Sequence, residues 1–214
     1  MVGIVNFLSS SGSPLLINVY PYFAYASDSA TARLDYAQFT ATGPVVLDGS
    51  LSYSNLLDAV VDTFYWAIEK EGVTGVHLLI SKSGWPSAGN GNLTTPGLAQ
   101  TYNQNLVKRF QANTGTPKHL DRSLGGFIFT MFNENHKPAG TEQNFRLFNP
   151  DGTPVYDIEG NKTRIGSLDS FDFPLAVMEA ILDEGVADTP DGRLEDPLSL
   201  EVDQSQVGST NESD

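Results

Sequence analysis

Cysteine is absent from the 214 residues, which excludes disulfides, thiolate metal sites and a cysteine nucleophile. Histidine is scarce. His77, His119 and His136 are the three present, without metal-ligand spacing, and each reads as a surface or satisfied core residue. No metal and no other cofactor is expected. Basic side chains are few, 12 Lys and Arg against 26 Asp and Glu, for a net charge of −14. Phosphate binding needs clustered Lys and Arg, so no nucleic-acid partner is expected. No apolar run approaches the roughly 18 residues of a membrane span. Met1 to Ser13 lacks the basic and long apolar regions of a signal peptide. Neither a membrane partner nor a route to secretion is expected from the sequence as it stands.

What is present suffices for one domain with a tail, since 40% of the residues are apolar. The charge is unevenly placed. Residues 1–156 hold 11 acidic and 9 basic side chains, net −2, and residues 157–214 hold 15 and 3, net −12. After Tyr156 the composition turns to Pro, Gly, Asp and Glu, relieved by Phe171 to Leu182, a candidate short amphipathic helix. From Asp188 onward the sequence reads as disordered. Solubility is the plain explanation of an acidic tail.

Upstream, strand and helix signals alternate. Val2 to Leu8 reads as the end of a helix and Leu15 to Tyr20 as a buried strand. A loop rich in Tyr, Ala and Ser leads to Tyr36 to Thr40, a second strand candidate, and Val45 to Gly49 reads as a small hairpin. Ser54 to Glu71 is the clearest helix, with Leu56, Leu57, Val60, Val61, Phe64 and Ile68 on one face. Ser52 or Ser54 is its expected cap and Gly72 its stop. Val76 to Ile80 is the next strand, Thr95 to Asn113 the next helix, and Gly125 to Phe132 a further strand. This alternation predicts parallel β/α units, about four of them. A (β/α)8 barrel has eight in about 250 residues, so the expectation is half a barrel.

The stretch from Leu78 to Gly89, LLISKSGWPSAG, runs a buried strand into a rigid turn bearing Trp85. Strand ends that deliver polar and aromatic residues into loops are where α/β barrels keep their chemistry. Three further blocks stand in order: Pro14 to Phe23 (PLLINVYPYF), Phe129 to Pro138 (FTMFNENHKP) with Glu142 to Phe145 (EQNF), and Asn149 to Tyr156 (NPDGTPVY). Together, over residues 4–157, these blocks resemble the plant endo-1,3-β-glucanases, glycoside hydrolase family 17. The resemblance implies retaining hydrolysis of internal 1,3-β-glucosidic bonds. It also implies an α/β fold, a partial (β/α)8 barrel of about strands five to eight. The half-barrel would span residues 1–157 and the acidic, largely disordered tail residues 158–214. The first four strands, including the one with the family's general-acid glutamate, would lie upstream. The family is typically extracellular or vacuolar.

The resemblance also puts a catalytic nucleophile, a glutamate in the family, at the position held here by Lys82. A retaining glycosidase needs two carboxyl groups about 5–5.5 Å apart, one to attack the anomeric carbon and one to protonate the departing oxygen. An ammonium does neither, and it repels an oxocarbenium-like transition state. Schiff-base chemistry would require a depressed lysine pKa, and nearby carboxylates such as Glu134 oppose that. Lys82 therefore reads as a lost catalytic position.

Glu134, Lys137 and Glu142 by residue type alone read as a surface loop with ordinary ion pairs. The resemblance implies instead that they support the nucleophile and hold sugar hydroxyls. Arg146 stands where the family usually has glycine, and strain is expected there if the backbone requires positive φ. Tyr20, Tyr22, Phe23, Tyr25 and Trp85 are either core aromatics or sugar platforms. Trp85, Tyr20, Tyr22, Asn18 and Asn133 are the expected substrate-binding set, with Phe23 and Tyr25 left open. The sequons at Asn92, Asn161 and Asn211 matter only on the secretory path.

Three readings follow. The first is a glucan endo-1,3-β-glucosidase-type protein, inactive or strongly impaired. The second is a non-catalytic module binding β-1,3-glucan or a partner, because an open half-barrel exposes a sheet edge that a second copy or a complementing half-barrel would cover. The third is a truncated product that folds poorly, against which a cooperative thermal transition would speak.

Overall fold

Helix α4, Leu56–Lys70, shows how the sequence builds the molecule. Leu57, Val61, Tyr65 and Ile68 recur at helical spacing and are all buried, so one stripe faces the core. Its cap is Asn55 rather than Ser52 or Ser54: the Asn55 side chain accepts the Asp58 amide at 2.8 Å, which satisfies a free first-turn donor. Gly72, at φ +77, turns the chain after it. Helix α5, Pro96–Gln111, begins with a Thr95 cap and proline in its first turn. It buries Ala99, Tyr102, Leu106 and Phe110.

The computed structural model describes residues 2–132 and 136–158. The expected tail helix, Phe171 to Leu182, lies outside the described residues. In chain order the remaining α-helices and strands of the described residues are α1 (Val2–Ser11), β1 (Leu15–Asn18), α2 (Pro21–Ser27), α3 (Leu34–Ala37), β2 (Val46–Asp48), β3 (Leu51–Tyr53), β4 (Leu78–Ser83) and β5 (Gly126–Ile128), with short 3-10 turns at Gly91–Leu93 and Thr141–Gln143. Strands β2 and β3 form the expected hairpin. Two further sequence expectations fail. The Tyr-Ala-Ser loop is helix α2, started by Pro21, whose fixed φ suits a first helical position. Tyr36 and Ala37 belong to the short helix α3, not to a strand; Tyr36 and Ala37 are buried on its inner side.

Strands β1, β4 and β5 form one parallel sheet in that order. Neighbours in space thus follow chain order without reversal, unlike a doubly wound sheet. A fourth chain segment continues the pattern. Thr130 donates to the Phe145 carbonyl at 3.2 Å, and Leu147 donates to the Thr130 carbonyl at 2.9 Å. Bonds to positions either side of Arg146 are the signature of a parallel partner. The far side of this segment is covered by the turn through Thr153, because Val155 donates to the Leu147 carbonyl.

The two faces of the sheet differ. Ile17, Leu78, Ile80 and Ile128 are buried in one core with Leu57, Val61 and Leu106 of α4 and α5. On the other face Leu79 and Phe127 are half-buried, and Leu16 is 50% exposed. Strand alternation puts these two sets on opposite sides. The backbone of β1 is bonded to β4 through residues such as Leu15 and Val19, so by parity Leu16 and Asn18 turn their peptide groups toward the open edge.

Side-chain clamps tie the helices together. Arg109 of α5 meets Asp58 of α4 at 3.0 Å, with both side chains 10% exposed, and also donates to the Thr114 and Gly115 carbonyls. Asp62 accepts from Tyr53 Oη and from the Lys118 amide. His119, expected to be satisfied, bonds Glu69 at 2.8 Å and packs on Tyr65. Partial burial of Glu69 works against its charge, but the hydrogen bonds from Lys118 and His119 prevail and hold its carboxyl below the usual range.

Candidate functional site

The carboxyl ends of β1, β4 and β5 bring together residues far apart in sequence. Asn18, the last residue of β1, is exposed and lies in register with Lys82. Val19 donates to the Lys82 carbonyl at 3.0 Å, and Phe129 donates to the Ser83 carbonyl at 2.8 Å. Lys82 is half-buried, and its Nζ stands 5.1 Å from the centroid of the Phe129 ring. Lys137 Nζ lies 5.0 Å from the same ring. Glu142 is 3.9 Å from Lys137.

Phe129 is therefore the centre of the site, and sequence reasoning missed it. The only signal was its place at the head of the FTMFNENHKP block. Its ring packs on Phe145 at 5.5 Å and on Tyr20 at 6.3 Å, and Tyr20 in turn meets Phe23 at 5.5 Å. Such tilted and edge-to-face pairs give the floor of the site a fixed shape.

Gly84 makes this approach feasible. A Cβ there would fall on the Phe129 carbonyl oxygen and press on the Phe145 ring. Gly84→Ala is expected to destabilise the protein by about 1–3 kcal/mol through forced backbone displacement. Chemical denaturation checks this; an unchanged midpoint would remove the argument for close approach.

The structure places the expected substrate-binding residues unequally. Tyr20 is half-buried and Asn18 exposed at the sheet edge. Trp85, expected as a sugar platform, is instead fully buried. Its ring packs against Tyr22, Tyr25 and Tyr102 at 5.2–5.7 Å, and Nε1 donates to the Leu93 carbonyl. The turn after β4 folds this side chain under α5 rather than out into a cleft. Tyr22 is also buried, its hydroxyl accepting from Asn90. Phe23 and not Tyr22 is the exposed aromatic of α2. Asn133 and Glu134 lie outside the described residues. Arg146 does not have positive φ, which among the described non-glycine residues is confined to Phe39 and Asn113, so the expected backbone strain is not there.

Behind the site Ser83 Oγ and Tyr102 Oη share a buried hydrogen bond of 2.6 Å. Burial pushes the Tyr102 hydroxyl well above the usual tyrosine value, against the opposing effect of Ser83, so it stays protonated and anchors the end of β4. A groove of about 420 Å³ runs between α2 and the loop before Glu142. Tyr22, Phe23, Asn90, Gly140 and Glu142 line it. Its size is within the range of small-ligand sites.

Fold and site define a β/α protein that gathers its polar and aromatic groups at the carboxyl edge of a consecutive parallel sheet. The family model for glycosyl hydrolases family 17 matches residues 1–160, and the chain belongs to that family. It is 56% identical over 159 residues to a probable glucan endo-1,3-beta-glucosidase, BG4, of Arabidopsis thaliana, covering 74% of this chain and 46% of that one. It is 45% identical over 155 residues to lichenase-2 of Hordeum vulgare, covering 72% and 48%. Among solved structures, CJP38, a beta-1,3-glucanase and allergen of Cryptomeria japonica pollen, superposes with a TM-score of 0.70 at 48% identity. That match covers 76% of this chain and 50% of the other. The chain thus spans about half the length of the relatives it matches.

Proposed function

We propose that residues 1–157 form strands five to eight of a (β/α)8 barrel of the retaining endo-β-glucanase type, and that this chain does not itself hydrolyse β-1,3-glucan. The observation that carries the reading is Lys82 at the carboxyl end of β4, over Phe129 and within reach of the Lys137 region. The resemblance puts the nucleophilic carboxylate at that position. An ammonium there cannot form a glycosyl ester, and it opposes the positive charge that develops at the anomeric carbon. Glu134, Lys137 and Glu142 act in this reading as supports for the nucleophile position and as hydroxyl ligands. Asn18 and Tyr20 are the sugar contacts at the sheet edge.

Loss of a nucleophile removes several powers of ten in rate, at about 1.4 kcal/mol for each decade. Reducing-sugar release from a soluble 1,3-β-glucan is expected to be undetectable for the chain. Lys82→Glu is expected to stay silent as well, because the acid partner belongs to the other half of the barrel. Turnover by the unmodified chain would overturn the reading of Lys82. Strong rescue by Lys82→Glu alone would show that a general acid is present within this chain.

A second reading, a non-catalytic half-barrel that binds a partner, is favoured by the open edge of β1 beside the exposed Leu16. In a closed barrel such residues are covered by side chains from the facing strands. A complementing β/α half-barrel fits this edge, and the relatives carry about as much additional chain. A second copy is the other occupant. Sedimentation of the chain alone and with the unmatched half of a relative distinguishes them.

A further inference from the structure

Asn90-Gly91 is the single Asn-Gly pair in the chain, and Asn90 lines the groove between α2 and the loop before Glu142. We propose that Asn90 is a site of spontaneous deamidation, and that Tyr22 and Thr94 set how fast it reacts. The proposal does not depend on what the cleft binds. The reaction is an attack by the main chain on a side chain. The Gly91 nitrogen loses its proton and bonds to Asn90 Cγ; the Cγ–Nδ2 bond breaks, and that nitrogen leaves as ammonia. Water then opens the cyclic imide at either carbonyl and returns the proton to the Gly91 nitrogen. One opening gives aspartate. The other gives isoaspartate, in which the main chain runs through Cβ. No electrons are transferred, and solvent is the co-reactant.

Access and crowding favour this position. Asn90, Gly91 and Asn92 are all exposed, so water reaches the imide. Glycine has no Cβ to crowd its own attacking nitrogen, whereas every other asparagine is followed by a residue with a side chain. The space is also open, since a Cβ built at Gly91 would meet nothing within 4 Å. Two hydrogen bonds act against the reaction. Asn90 Nδ2 donates to Tyr22 Oη at 3.1 Å, and the Asn90 amide donates to Thr94 Oγ1 at 2.7 Å. While they hold, Cγ does not turn onto the Gly91 nitrogen. The reaction therefore runs from the fraction of molecules in which this turn has opened locally.

The products change the groove. Glu142 is the charged group among its described lining residues, and an aspartate at position 90 adds a second negative charge. It also turns Tyr22 Oη from acceptor into donor, because a carboxylate only accepts. Isoaspartate does more, by adding a carbon to the main chain within a bonded turn. The Leu93 amide donates to the Asn90 carbonyl at 3.1 Å, and the Leu93 carbonyl holds Trp85 Nε1.

Peptide mapping by mass spectrometry tests this on the full chain, aged at mildly alkaline pH in heavy-oxygen water beside the same chain unfolded in urea. Conversion is expected at Asn90 ahead of every other asparagine, with the heavy oxygen incorporated and both acids formed. The folded chain is expected to react more slowly than the unfolded one. Tyr22→Phe keeps the ring and removes the acceptor. It is expected to speed the folded chain's reaction about two- to tenfold, the factor that one hydrogen bond of ordinary net strength represents, and to leave the rate in urea unchanged. Thr94→Val is expected to act in the same direction, with circular dichroism confirming that both variants are folded. An Asn90 that stays intact in the folded chain while the urea sample converts would overturn the site. Equal conversion at another asparagine of the folded chain would overturn its special standing. Folded-state rates unchanged in both variants would overturn the roles of Tyr22 and Thr94.

Discussion

Trp85→Ala is expected to lower the unfolding free energy by about 3–5 kcal/mol, the range for truncating a fully buried aromatic. The indole is enclosed by Tyr22, Tyr25 and Tyr102, so its removal leaves a cavity that rigid neighbouring rings cannot easily fill. The Leu93 carbonyl also loses its indole donor, a further contribution of about 1 kcal/mol. Trp85→Phe keeps most of the ring volume and should fall well short of the alanine change. Denaturant melts with unaltered slope provide the measurement. The result also decides between two roles for the residue. A stable Trp85→Ala protein that had lost only sugar binding would return Trp85 to the cleft and contradict its burial.

Arg109→Met is expected to cost about 3–5 kcal/mol, because it leaves Asp58 as a buried carboxylate without its cation. The guanidinium holds α4 to α5 and also satisfies the carbonyls of Thr114 and Gly115 after α5 ends. Its five donors in a planar fork are what this three-way junction uses. Arg109→Lys keeps the charge but cannot reach both carbonyls and the carboxylate together, so it should lie between the wild type and Arg109→Met. Pairing Arg109→Met with Asp58→Leu should recover a large part of the loss, since an apolar pair of similar volume removes the buried charge altogether. A double variant as unstable as the sum of its parts would mean that the damage lies in the lost loop contacts instead.

Much of the fold was legible because periodicity is local. Leu57, Val61 and Ile68 repeat at helical spacing, and Thr95-Pro96 marks a helix start by its own chemistry. The missed helices α2 and α3 are short, seven and four residues, too short for a repeat to emerge from their aromatic and alanine content. The cap of α4 was expected at Ser52 or Ser54 and is Asn55, because serine and asparagine are both good caps. Only the position of the Asp58 amide chooses between them.

The site was legible in part. Its four blocks identified the family, and a single residue type, lysine at position 82, carries the proposal that the usual carboxylate chemistry is missing. Those conclusions depend on covalent identity alone. The tertiary structure decided what each aromatic does: a tyrosine or tryptophan serves equally well in a core or against a sugar, and only packing sends Trp85 and Tyr22 inward and Phe23 outward. It also decided that Lys82 and Lys137, 55 positions apart in sequence, share the ring of Phe129. That meeting arises from the parallel register of β4 and β5 and the close approach at Gly84, neither of which a side chain's own chemistry can specify.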